Sequence, residues 1–155
     1  MPTTTPPRPT DPDAATRLRV AIGRLSRHLR VTAAGSAAGL SPTRISVLLS
    51  VDRNGPIRLA DLAEHESLNP TMLSRAISQL VDDGALERVS DERDRRAAWV
   101  NVTRAGHRLA ERMRRERTLA VNEALAGLAP GDLRLIEQAV PALEQLAEQL
   151  AERRS

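Results

Sequence analysis

The chain contains no cysteine, phenylalanine, tyrosine or lysine, and a single tryptophan. Without cysteine there is no disulfide, no thiolate-bound metal, no thiol nucleophile and no thiol redox switch. Readers of RNA and single-stranded DNA stack bases on aromatic platforms, which one tryptophan does not build, so any nucleic acid bound here is expected to be duplex DNA. No apolar run reaches the roughly 18 residues of a bilayer span, and the N-terminus lacks a charged-then-apolar signal pattern; a cytoplasmic protein with no membrane partner is expected. Phosphate-loop, dinucleotide and nucleophile-elbow motifs are missing. His28, His65 and His107 have no companions at ligand spacing, and Glu64-His65-Glu66 lacks the second histidine of a zinc-protease helix. No metal, cofactor or enzymatic activity is expected.

All 23 basic residues are arginine and the formal charge is +3, so the chain is basic without being a polycation. Part of an all-arginine set can reflect genomic base composition. The length of 155 residues suffices for one core with an extension.

Residues 1–10, rich in Pro and Thr, have little apolar surface to bury and are expected to be a disordered tail. Asp11-Pro12 is a helix start, and Leu18, Ile22, Leu25 and Leu29 form one stripe of an amphipathic helix that ends before Gly35. Ser41-Pro42 repeats the start for a helix through Ile45, Leu48 and Leu49 that stops at Asn54-Gly55. A short helix over Leu59–Glu64, a turn over His65–Leu68, and a helix from the Asn69-Pro70 cap to Asp83 follow, with Gly84 as the stop. In that last helix Met72, Leu73, Ala76, Ile77, Leu80 and Val81 occupy one half of the wheel. Thr71, Ser74, Arg75, Ser78, Gln79 and Asp82 occupy the other. Leu86–Val89 and Ala97–Val102 then read as two strands of a hairpin. Thr103 caps a long helix through Leu109, Met113, Val121 and Leu125, broken near Gly127–Gly131. The final helix sets Leu133, Ile136, Val140, Leu143, Ala147 and Leu150 at heptad spacing, a packing seam that Pro141 should bend. Met72 and Met113 fall at core spacing. Trp99 either packs or stacks on an aromatic ligand.

Two short helices joined by a tight turn, the second with a hydrogen-bonding outer face, form a helix-turn-helix, and such a helix fits the major groove. Arg75 is the best placed side chain to bridge guanine O6 and N7 or to clamp a phosphate. Any surface helix has a polar face, so the hairpin that follows matters more. It makes a wing whose arginines, oriented by neighbouring aspartates, suit the narrow and negative minor groove.

Residues from about 41 to 106 resemble the winged helix-turn-helix core of the MarR family of bacterial transcription regulators. Asp94-x-Arg96, then Val100, Val102, Thr103 and Gly106, follows that family's wing signature, and LADLA, NPTMLSRAISQL and DDGALERV match preceding segments in order and spacing. Trp99 departs from the aliphatic residue common at its position. The resemblance implies a mainly α fold with a small β-hairpin (α+β), in which dimerisation helices flank the winged core. It divides the chain into the tail 1–10, an N-terminal dimerisation helix in 11–40, the DNA-binding domain 41–102 and C-terminal dimerisation helices in 103–155. It implies a homodimer on a pseudopalindromic operator, most often as a repressor. The recognition helix, about 69–83, takes the major groove through Thr71, Ser74, Arg75 and Ser78; the wing, 90–96, takes the minor groove through Arg96, oriented by Asp94. Arg93 and Arg95 contact the backbone, and Asn69 caps. The family's switching implies a small aromatic or anionic effector, with Arg17, Arg24 and His28 on the first helix as candidates to receive it. The competing reading is a winged-helix module that contacts protein instead, for which the wing-tip arginines and the polar helix face would not need to occur together.

Overall fold

A computed structural model describes residues 12–30, 32–90 and 98–153. Its elements are α1 (Pro12–Leu29), α2 (Ala33–Ala37), α3 (Pro42–Asn54), β1 (Ile57–Arg58), α4 (Leu59–Glu66), α5 (Pro70–Asp82), β2 (Leu86–Ser90), β3 (Ala98–Val102), α6 (Arg104–Ala126) and α7 (Pro130–Glu152). Backbone contacts divide the chain after Glu116 into two units.

The first unit holds the core. Val47, Leu48 and Val51 of α3, Leu62 of α4, Ile77 and Leu80 of α5, Val100 of β3 and Met113 of α6 are completely buried in one apolar cluster. Helix boundaries follow from local chemistry. The Ser41 hydroxyl accepts from the Arg44 N–H at 3.4 Å, with Pro42 in the first turn of α3; the Asn69 Oδ1 accepts from the Met72 N–H at 2.8 Å, with Pro70 in the first turn of α5. Gly84, at φ +70°, takes the left-handed conformation that lets Ala85 N bond back to the Leu80 carbonyl at 2.8 Å.

Three features depart from the sequence reading. α4 continues through His65 to Glu66, and the turn begins only at Ser67, whose φ of 52° is left-handed. Ser67 N and Leu68 N bond to the Glu64 and Ala63 carbonyls at 3.1 and 3.0 Å, which satisfies the helix end and offsets the strain of a non-glycine residue there. The region of Gly35 forms the separate helix α2: Thr32 Oγ1 accepts from Gly35 N at 3.1 Å, and the Glu116 carboxylate of α6 accepts from Ala34 N at 3.1 Å. The hairpin gains a third strand, in the order β1-β3-β2, with Ile57 opposite Val100 and Arg58 opposite Trp99.

In the second unit, α7 buries none of its described residues, and Ile136, Val140, Leu143 and Leu150 are exposed along it. Pro141 lies within the helix, which continues across it to Glu152. No helix among the described residues is long and apolar enough to cross a membrane.

Candidate nucleic-acid interface

α5 divides as its wheel requires. Leu73, Ala76, Ile77 and Leu80 are buried, while Thr71, Ser74, Arg75, Gln79 and Asp82 are exposed. Thr71, Ser74, Arg75 and Ser78, at i, i+3, i+4 and i+7, therefore share one outward face. Ser78 is half-buried, and its Oγ accepts from Arg88 Nη2 at 3.2 Å, so β2 is tied to that face. Met72 does not pack in the core as its spacing suggested: it is 49% exposed. It stands at one edge of the apolar half of the wheel, whereas Val81 at the other edge packs against the core. Met113 is fully buried, as its spacing predicts.

A brace from outside the helix-turn-helix pair comes from Arg44 of α3. Its guanidinium pairs with Asp83 at 3.1 Å and donates to the Gly39 carbonyl, so the start of α3 is braced against the end of α5. The bond is charge-assisted and its cation is mostly covered.

β2 and β3 pair from Leu86 opposite Val102 to Ser90 opposite Ala98. They enclose residues 91–97, so Arg93, Asp94, Arg95 and Arg96 lie outside the described residues, as does Ala97, the expected first residue of the second strand. On the sheet, the Arg58 guanidinium lies 5.1 Å from the centroid of the Trp99 ring, a cation–π contact that gives the tryptophan a packing partner. Arg58 and Arg88 are cations of this head that a periodicity reading did not single out; the signal for both was their place on strands beside the helix-turn-helix.

At the base of the head, α6 is anchored twice. The Thr103 hydroxyl donates to the Gly84 carbonyl at 2.7 Å and accepts from Gly106 N at 3.0 Å, while Thr103 N donates to the Ala85 carbonyl at 3.1 Å. One to three turns on, the Asp52 carboxylate of α3, with a side chain only 1% exposed, meets His107 Nδ1 at 2.7 Å and bonds to Arg114. His107 is thus a partner of a buried acid, and among the described residues no three His, Asp or Glu side chains gather as a metal site.

Arg17, Arg24 and His28 are exposed on one flank of α1. They are strung along it, with Arg17 and Arg24 about 10 Å apart at 1.5 Å rise per residue, and do not converge on one point.

The MarR family profile matches residues 40–98, the span of the helix-turn-helix and the wing. An HTH-type transcriptional regulator of Mycobacterium bovis, Mb0904, is 30% identical over 141 residues, covering 90% of this chain and 97% of the relative. Among solved structures, FabT of Streptococcus pneumoniae, in complex with DNA, aligns over 88% of this chain and 99% of its own at a TM-score of 0.67 and 16% identity. NadR in complex with 4-hydroxyphenylacetate aligns over 90% and 97% at a TM-score of 0.63 and 18% identity. At those identities the two structures speak for the fold.

Proposed function

The chain belongs to the MarR family of helix-turn-helix transcription regulators, DNA-binding proteins without enzymatic activity, and on that premise we propose that it is a cytoplasmic homodimeric repressor of a pseudopalindromic operator, relieved by a small aromatic or anionic effector. The observation that carries this is the split of α5: a buried apolar half fixes the helix in the head and leaves Thr71, Ser74, Arg75 and Ser78 outward. Those groups match what the major groove offers, Arg75 to guanine and the hydroxyls to bases or phosphates. Met72, exposed beside them, adds an apolar contact suited to a thymine methyl. Arg96, oriented by Asp94, enters the minor groove from the wing, and Arg93 and Arg95 contact the backbone.

In this reading residues 41–102 read DNA and 11–40 with 103–155 join the protomers. Leu18, Ile22 and Leu25 on α1, with Ile136, Val140, Leu143 and Leu150 on α7, form apolar rows open to solvent in the single chain, a cost that a partner removes. A two-fold axis then presents two recognition helices about one DNA turn, roughly 34–36 Å, apart. Effector control rests on the family and on a structural neighbour that holds an aromatic carboxylate. Arg17, Arg24 and His28 are the cations proposed to meet such an anion.

The test is selection of bound sequences from a random duplex library by the full chain, followed by challenge of the complex with aromatic acids. A two-fold symmetric consensus, with release by at least one acid, is expected. Binding no tighter to the selected sequences than to random duplex would overturn the reading in favour of a protein-contacting module.

A further inference from the structure

β2 carries a charge on the side of the sheet that faces the core. Ile57, Val100 and Arg88 stand in one row across the three strands, on the face that also carries Leu86. Ile57, Val100 and Leu86 are buried, yet Arg88 is exposed. An arginine in such a row keeps its charge in water only by leaving the sheet, and β2, as an edge strand, lets it do so. Its side chain runs over that edge to α5, where Nη2 donates to Ser78 Oγ at 3.2 Å. Among the described residues no carboxylate pairs with it. A charged guanidinium thus stands where the outward face of α5 meets the hairpin.

We infer that Arg88 clamps a phosphate of the one DNA strand that runs between the two grooves the head engages, and that Ser78 is the residue that aims it. The inference rests on the groove assignment proposed above, with α5 in the major groove and the wing in the minor groove. Neighbouring grooves of a duplex are separated by a single sugar-phosphate backbone, so a head that enters both must straddle that backbone. The junction of α5 with β2 lies between the two reading elements, and Arg88 supplies a cation there. A guanidinium offers five N–H donors in a flat fork; one serves Ser78, and the others can hold two phosphate oxygens by parallel bonds. By accepting from Arg88, Ser78 fixes where the fork points before DNA arrives, which lowers the cost of ordering the side chain on binding. Ser78 is then a positioning residue. The clamp carries no base preference; it sets the register of the head on the duplex, while Arg75 is proposed to read a base.

The experiment uses the full chain with the duplex selected from the random library and an unrelated duplex of equal length. Arg88→Gln should weaken binding to both by a similar factor, about tenfold, and lower the slope of log affinity against log salt by about 0.9 for each head. Ser78→Ala should lower affinity and leave that slope as in the wild type. Neutral methylphosphonate linkages, placed one at a time along the selected duplex, locate the contact. The wild type should lose affinity at a linkage between the two grooves, and Arg88→Gln should be indifferent at that linkage while responding like the wild type elsewhere. An Arg88→Gln slope equal to wild type, or a variant that responds to every linkage as the wild type does, would overturn the inference. If Arg88→Gln loses its helical circular dichroism, Ser78→Ala decides: its response at that linkage should shrink, and an undiminished response overturns the inference. A wild type that does not prefer the selected duplex sinks the proposed function itself; one that prefers it while Arg88→Gln keeps the full slope sinks only the clamp.

Discussion

Gly106 passes so close to Ala85 that a β-carbon on it would stand 1.9 Å from the Ala85 carbonyl oxygen. The first turn of α6 is therefore seated against the residues that end α5, and the Thr103 bonds to Gly84 and Ala85 hold it there. Through this seat, α6 is joined to the end of α5, the proposed recognition helix.

Gly106→Ala should accordingly force backbone to move. Overpacking of this kind costs about 1–3 kcal/mol, and a clash with a carbonyl, which has no rotamer to escape into, belongs at the upper end. Urea denaturation should show a lower midpoint. If the midpoint stays at the wild-type value, the close approach is not maintained in solution.

Asp52→Ala removes the acid that His107 and Arg114 share. Stripping one partner from a fully buried pair costs about 3–5 kcal/mol, but here the side chains left behind are 53% and 42% exposed and regain water, so about 1–3 kcal/mol is expected. Thermal unfolding in low and high salt checks this: because Asp52 itself is buried, the difference between variant and wild type should survive added salt.

Arg75→Ala and Arg96→Ala should weaken operator binding in different ways. Loss of a bidentate base contact costs about 1–3 kcal/mol and relaxes the preference at one base position. Loss of Arg96, the arginine proposed for the minor groove, should lower affinity and reduce the steepness of its salt dependence. Binding titrations across salt on the selected operator and on single-base variants separate the two; equal losses on every sequence for Arg75→Ala would make it a phosphate clamp.

Arg88→Ala should leave stability within about 0.5 kcal/mol, since an exposed side-chain bond contributes little, yet reduce operator affinity by freeing Ser78 from its tether. A variant that unfolds more readily but binds DNA as well as wild type would show that the bond serves the fold alone.

Asn69→Ala tests the start of α5, the proposed recognition helix. Removing the bond from Met72 N should cost about 1 kcal/mol, and Asn69→Ser should restore most of it. The same change should lower DNA affinity, because the first turn of α5 carries Thr71 and Met72.

Apart from α2, which segments become helices, where most of them start, and which half of α5 faces outward were legible from residue order alone. Those properties are set locally: a cap oxygen reaches an N–H three residues on, and the 3.6-residue period sorts apolar from polar faces. Ser41, Asn69 and Gly84 stand where that reasoning puts them. Other features needed the chain folded. The two residues of β1 are too short to show an alternation and become a strand only because β3 lies beside them. Met72 and Val81 have equal claims on the wheel, yet Val81 packs against the core and Met72 stays exposed. Asp52 joins His107 and Arg114 across more than fifty residues, and Arg88 reaches Ser78 from a different element. Periodicity determines what a segment can be; which side chains meet is decided by packing, because a contact energy depends on distance in space and carries no trace in the spacing of the chain.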